Sequence, residues 1–250
     1  MHWDYILILA VLAVVVPWRS AARIRDLLAR PESMPFQRIP LYLSTIGFQW
    51  TAVAVIFWRA SAHHVSVSAL GIAFPYPSRA IFASIGLSAI LVTNQIYGVR
   101  RVAAMPHGNR GLIAKLAEKL LPTTPYEALF GILLVLTVSI CEEFIYRGFV
   151  QTVFTTLLSG SQLAGALISA AFFSLAHLYQ GRKGLITTFA VGLIFSGARI
   201  WTGSLLPSII VHFAVDLSVG LAASKLISVN RPVSPLLALC CPYCGLGARR

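Results

Sequence analysis

Apolar residues fall in seven long runs along the chain, separated by short polar or basic stretches. The runs extend from about Tyr5 to Trp18, Leu41 to Phe57, Ala80 to Tyr97, Tyr126 to at least Phe149, Leu163 to Leu178, Leu185 to Ile200 and Leu205 to Leu221. Several approach the roughly 20 residues that a helix needs to cross a bilayer. They lack the period-two alternation of a barrel strand. Only helices or a closed barrel satisfy the backbone in hydrocarbon. The pattern therefore predicts an all-α fold, a polytopic transmembrane bundle of about seven to eight helices. Thr152 to Leu158 either extends the fourth helix or forms a short one of its own, and Leu112 to Leu121 is an amphipathic stretch suited to the membrane surface. Three regions are expected: membrane helices and cytoplasmic loops over 1–125, a helical core over 126–225 and a tail over 226–250.

Composition agrees with this solvent. Of the 250 residues 57% are hydrophobic and only 11% charged, against about a quarter charged in soluble domains. The net charge of +12 comes from basic residues placed between the apolar runs, with no interleaved aromatic surface for bases. That excludes nucleic acid as a partner and reads as a topology signal. Arg19, Arg23, Arg25, Arg30 and Arg38 follow the first run, and Arg100, Arg101, Arg110, Lys115 and Lys119 follow the third. Seven spans with the N-terminus outside and the C-terminus inside put every basic loop on one face. An integral, multi-pass protein of the plasma membrane is expected. The first run has no basic segment ahead of it and so does not read as a cleaved leader. Cys141 sits in an apolar run, while Cys240, Cys241 and Cys244 crowd the tail, which is no disulfide framework.

The chain has eight acidic residues, and Glu142, Glu143 and Asp216 fall inside apolar runs together with Arg147, His177 and His212. A charged residue at the bilayer centre costs roughly 2.5–3.5 kcal/mol and marks function by default. Glu143 and Arg147 are four apart and share a helix face. Glu142 is turned about 100° away. The expected division is a supporting Glu143–Arg147 ion pair and a working set of Glu142, His177, His212 and Asp216, with Phe173 stacked one turn before His177. This set has two chemical readings. A glutamate beside a histidine can activate water as a general base. Alternatively, His177, His212 and a carboxylate, Glu142 or Asp216, can hold a divalent metal such as zinc with one position open for water. Asn94 and Gln95 are candidates to line a polar cavity.

Glu142-Glu143-Phe-Ile-Tyr-Arg147, Phe173-Ser-Leu-Ala-His177 and His212-Phe-Ala-Val-Asp216 together resemble the CPBP family, also called the Abi or CAAX-protease family, of intramembrane endopeptidases. The run Thr202-Gly203-Ser204-Leu205-Leu206-Pro207 resembles the family's lead-in to its last motif. The resemblance covers about residues 126–224 and makes 126–225 the catalytic core. It implies a membrane hydrolase, a metalloprotease or a glutamate-type protease, that cuts a prenylated or bacteriocin-like peptide or protein at the bilayer. In this reading Glu142 is the base, with His177 beside it. His212 and Asp216 complete the site, and Glu143, Arg147 and Phe173 support it. Asp216 stands where the prenyl-protein proteases have Asn. A carboxylate does not donate to an oxyanion unless protonated, so the replacement leans towards a metal or a His–Asp dyad. A non-catalytic immunity or scaffold protein, or a proton-coupled transporter, are the alternatives from other classes.

Overall fold

The structure is a computed structural model that describes residues 2–29, 38–106 and 109–226. Among the described residues eight α-helices follow in order: α1 (Trp3–Ala29), α2 (Arg38–Ala62), α3 (Pro77–Ala103), α4 (Gly111–Leu120), α5 (Pro125–Leu157), α6 (Gln162–Ala176), α7 (Gly181–Thr202) and α8 (Leu206–Leu226). No strand occurs among the described residues. The all-helical, polytopic expectation holds. Among the described residues six helices are long and apolar enough to cross a membrane, and α6, with 15 residues, is a shorter apolar helix. At 1.5 Å per residue α6 reaches about 22 Å, less than the ~30 Å hydrocarbon core. The stretch after Phe149 does not break away, so Thr152–Leu157 continues α5 rather than adding a span. The expected surface stretch is α4.

Local sequence explains the ends and the irregular turns. Thr124 caps α5 by accepting from the Glu127 amide at 3.1 Å, and Glu127 accepts in return from the Thr123 amide at 2.7 Å, a capping-box arrangement with Pro125 opening the helix. Ser161 caps α6. Gly203, at φ +67°, ends α7 in the left-handed conformation that glycine adopts most cheaply. In α1 a π-helical turn at Val11–Val15 precedes Pro17. The proline has no N–H, and its ring crowds the carbonyl four residues back, that of Ala13, within this turn.

Large apolar side chains face outward, as expected where lipid is the solvent. Trp3, Trp58, Tyr76 and Trp201 are exposed at one end of the bundle, and Tyr97 and Tyr126 at the other. Two such girdles mark the bilayer interfaces. Tyr76 and Tyr97 bracket α3 by 21 residues, about 32 Å of helix and one hydrocarbon thickness.

Polar contacts tie both ends together. Asp4 accepts from Arg59 at 2.7 Å and contacts the His63 ring at 2.8 Å, joining the start of α1 to the end of α2. On the same face Arg199 donates to the Ala69 carbonyl at 2.6 Å and the Leu205 amide to the Gly71 carbonyl at 2.8 Å, holding the α2–α3 loop over the bundle. At the opposite, basic end Arg23 donates to Ser44 at 2.5 Å, and Arg38 pairs with Glu127 at 3.5 Å. The buried core gathers around Phe144, Ile145, Tyr146, Phe149 and Val150 of α5, joined by Tyr5, Leu9, Ile56 and Phe173.

Candidate active site

The glutamate pair stands where α5 widens into a π-helical segment, Glu143–Val150, with all eight residues buried. Such segments are rare and recur at functional sites. Glu143 and Arg147 are fully buried and paired at 2.8 Å. The Arg147 guanidinium lies 4.1 Å from the centre of the Phe173 ring and 5.3 Å from that of Phe195, a cation–π clamp on an ion taken out of water. Glycine at 192 permits the packing behind it. A β-carbon there would come within 3.0 Å of the Ala170 methyl and 3.3 Å of Arg147 Nη2. The ion pair has a third member, because Glu143 Oε1 also faces His212 Nδ1 at 3.0 Å. With a carboxylate as acceptor, Nδ1 donates, and His212 is oriented by Glu143.

Glu142 faces the other way. It is half-buried and lines a partly open cavity of about 1170 Å³ whose wall also includes His177, His212, Asp216, Tyr146 and Phe173. Its Oε1 accepts from Gln49 Nε2 at 3.2 Å, and its Oε2 is buried with no hydrogen-bond partner. His177 follows the last residue of α6, and its Nδ1 donates to the Phe173 carbonyl at 2.8 Å. That bond leaves the lone pair on Nε2. His212 Nε2 lies 3.6 Å from Asp216 Oδ2, beyond a direct hydrogen bond, and the Asp216 side chain is 40% exposed. The four working residues thus share one cavity, although Glu142 and His177 make no hydrogen bond to each other. Gln49 lies nine residues before Trp58 on α2, about 14 Å below that girdle, near the middle of the membrane. The cavity continues past Tyr42, Pro122 and Ser224 to Arg19 and Arg23 at the basic end.

The metal reading meets a different geometry from the one it needs. Among the described residues no three His, Cys, Asp or Glu side chains are close enough together to hold an ion. Both histidines are bonded through Nδ1, to the Phe173 carbonyl and to Glu143, which is compatible with an Nε2 ligand, so the spacing alone speaks here. As placed, the four side chains do not form a metal cluster among the described residues.

Two features were not legible in the sequence. Gln49 is an ordinary polar residue in an apolar run, and its contact with Glu142 spans 93 positions. The link from Glu143 to His212 spans 69. Of the pair Asn94 and Gln95, only Gln95 lines the cavity. Cys240, Cys241 and Cys244 lie outside the described residues, and Cys141 is a free, buried thiol.

Fold and site together define an integral, multi-pass helical membrane protein with an ionisable cluster at mid-depth. Residues 124–218 match the family described as type II CAAX prenyl endopeptidase Rce1-like, the same family that the three motifs resemble and one of the general intramembrane protease class. An Escherichia coli protein described as "Uncharacterized 24.3 kDa protein" is 40% identical over 72 residues, covering 28% of this chain and 33% of that protein. The chain thus spans about a third of the length of that relative. No solved structure gives a significant match.

Proposed function

We propose that the chain is an intramembrane endopeptidase of the plasma membrane in which Glu142 activates water. The observation that carries this reading is the position of Glu142. One carboxylate oxygen is held by Gln49 and the other is buried without a partner beside a cavity shared with two histidines. A buried acceptor of this kind calls for a donor, and water fits. Glu142 takes a proton from that water as its oxygen attacks the scissile carbonyl carbon. His177 offers Nε2 on the same wall to orient the water. His212, as an imidazolium beside Glu143 and Asp216, donates Nδ1–H to Glu143 and Nε2–H to the tetrahedral oxygen. Asp216, with Oδ2 3.6 Å from that nitrogen, is its electrostatic partner, the role open to a carboxylate that does not donate. The proton held by Glu142 then passes to the leaving nitrogen as the C–N bond breaks, giving a carboxylate and an amine. The apolar cavity walls suit a peptide that carries a lipid group or an apolar sequence.

Purified protein in lipid nanodiscs, presented with a panel of fluorophore–quencher peptides with and without an S-farnesyl cysteine, tests this reading. Cleavage of at least one probe, with products that mass spectrometry identifies as the two halves of a hydrolysed peptide bond, is expected. Complete resistance of the whole panel overturns the reading and favours the scaffold alternative.

A further inference from the structure

A second pocket, of about 250 Å³, opens at the end of the bundle that carries Trp201, away from the basic loops. The α2–α3 loop gives it Ser68, the end of α5 Thr155 and Thr156, the start of α6 Gln162, and the end of α7 Arg199. No carboxylate lines it. Three hydroxyls and an amide surround one cation, and among the described residues none of these four polar side chains makes a hydrogen bond within the protein. None of the five residues lines the larger cavity that holds Glu142.

Topology explains cations at the opposite end but gives no reason for Arg199 here. Only one of its guanidinium nitrogens has protein acceptors: Nη2 donates to the Ala69 carbonyl at 2.6 Å and to Thr152 Oγ1 at 2.8 Å. Nε is buried with no partner, and Nη1 has none among the described residues. The Nη2 contacts brace the α2–α3 loop but bring no negative charge. A part-buried cation without a counterion is costly, and an anion in the pocket supplies the missing charge. The pocket is smaller than the ~300 Å³ at which drug-sized sites begin, so a compact group suits it. Its donors come from four separate elements. Phosphate, with three strong acceptor oxygens, meets donors from several sides better than a flat carboxylate does, and arginine, serine, threonine and glutamine are the side chains that hold it elsewhere. We propose that Arg199, with Ser68, Thr155, Thr156 and Gln162, forms a phosphate-binding site at this membrane interface. A phospholipid headgroup and a soluble phosphate both present that group at the depth of the Trp201 girdle. The site stands whether or not the chain cuts peptides.

Binding is read on the full chain, purified in neutral detergent and stripped of lipid, as the rise of the thermal midpoint with added probe. Inorganic phosphate is compared with chloride at equal ionic strength. Dihexanoyl phosphatidylglycerol is compared with dihexanoylglycerol, which lacks the phosphate. A saturable rise with at least one phosphate probe and with neither control is expected. A rise with inorganic phosphate supports the site with a soluble source, and a rise with the lipid alone supports it with a headgroup as the source. Arg199→Gln is expected to abolish the rise. Thr156→Val combined with Gln162→Leu leaves the Ala69 and Thr152 contacts of Arg199 in place and is expected to weaken binding about tenfold. That double variant decides the question if Arg199→Gln does not fold. No rise with either phosphate probe overturns the proposal, as does unchanged affinity in the double variant. A rise that survives Arg199→Gln also overturns it, because the phosphate then sits at another cation, such as those of the basic end.

Discussion

At the scale of single residues, two adjacent glutamates meet different surroundings because a helix turns them apart. Glu143 points into the core, where Arg147 and His212 both contact its Oε1. Glu142 points into the cavity with one oxygen on Gln49. Replacing one member of a buried ion pair leaves the other charge unpaired, a loss of about 3–5 kcal/mol. Glu143→Gln is therefore expected to lower the thermal midpoint sharply, and an unchanged melting curve would remove Glu143 from its supporting role. In the proposed mechanism Gln49 is a positioning residue, through its bond to Glu142. Gln49→Leu is expected to lower kcat by about ten- to a hundredfold with KM and melting temperature little changed, and Gln49→Asn, which keeps the amide donor, to recover part of the rate. Loss of stability without a change in kcat would make Gln49 structural only. The motif residues were legible because charged side chains in an apolar run stand out. Gln49 was not, since a lone glutamine in a membrane helix looks the same whether it faces a catalytic acid or a neighbouring carbonyl.

At the scale of helices, close approach around the π-helical segment sets the geometry. A β-carbon on Gly165 would come within 2.2 Å of Thr155 Oγ1 and 2.8 Å of the Gln151 carbonyl oxygen, so α6 meets the end of α5 through bare backbone. Membrane helices use small residues in this way. Gly165→Ala is expected to destabilise by about 1–3 kcal/mol through overpacking. Gly86→Ala, with nothing within 4 Å of the added carbon, should be neutral or mildly stabilising. Equal melting temperatures for the two variants would contradict the close contact. Helix existence was readable from the apolar runs, and α4 from its amphipathic pattern. The length of α6 was not, because Leu178 continues the apolar run while the chain turns at His177. Hydropathy does not register a turn made by a histidine bonded back to the Phe173 carbonyl.

At the scale of the whole molecule, charge and aromatic girdles agree on orientation. Tyr76 and Tyr126 belong to opposite girdles, so single cysteines placed at these positions, in protein freed of its native cysteines, are expected to react with impermeant maleimide from opposite sides of a sealed vesicle. Labelling from the same side would contradict the layout. The N-terminal helices also line the cavity. Gln49, Arg19 and Arg23 lie outside residues 124–218, the segment that matches the Rce1-like family, yet all three line the cavity. The most direct test of the central claim is the cleavage rate of Glu142→Gln beside the wild type on one probe in the same nanodiscs. A fall of about a hundred- to ten-thousandfold with an unchanged melting curve is expected; cleavage at the wild-type rate would contradict the role assigned to Glu142.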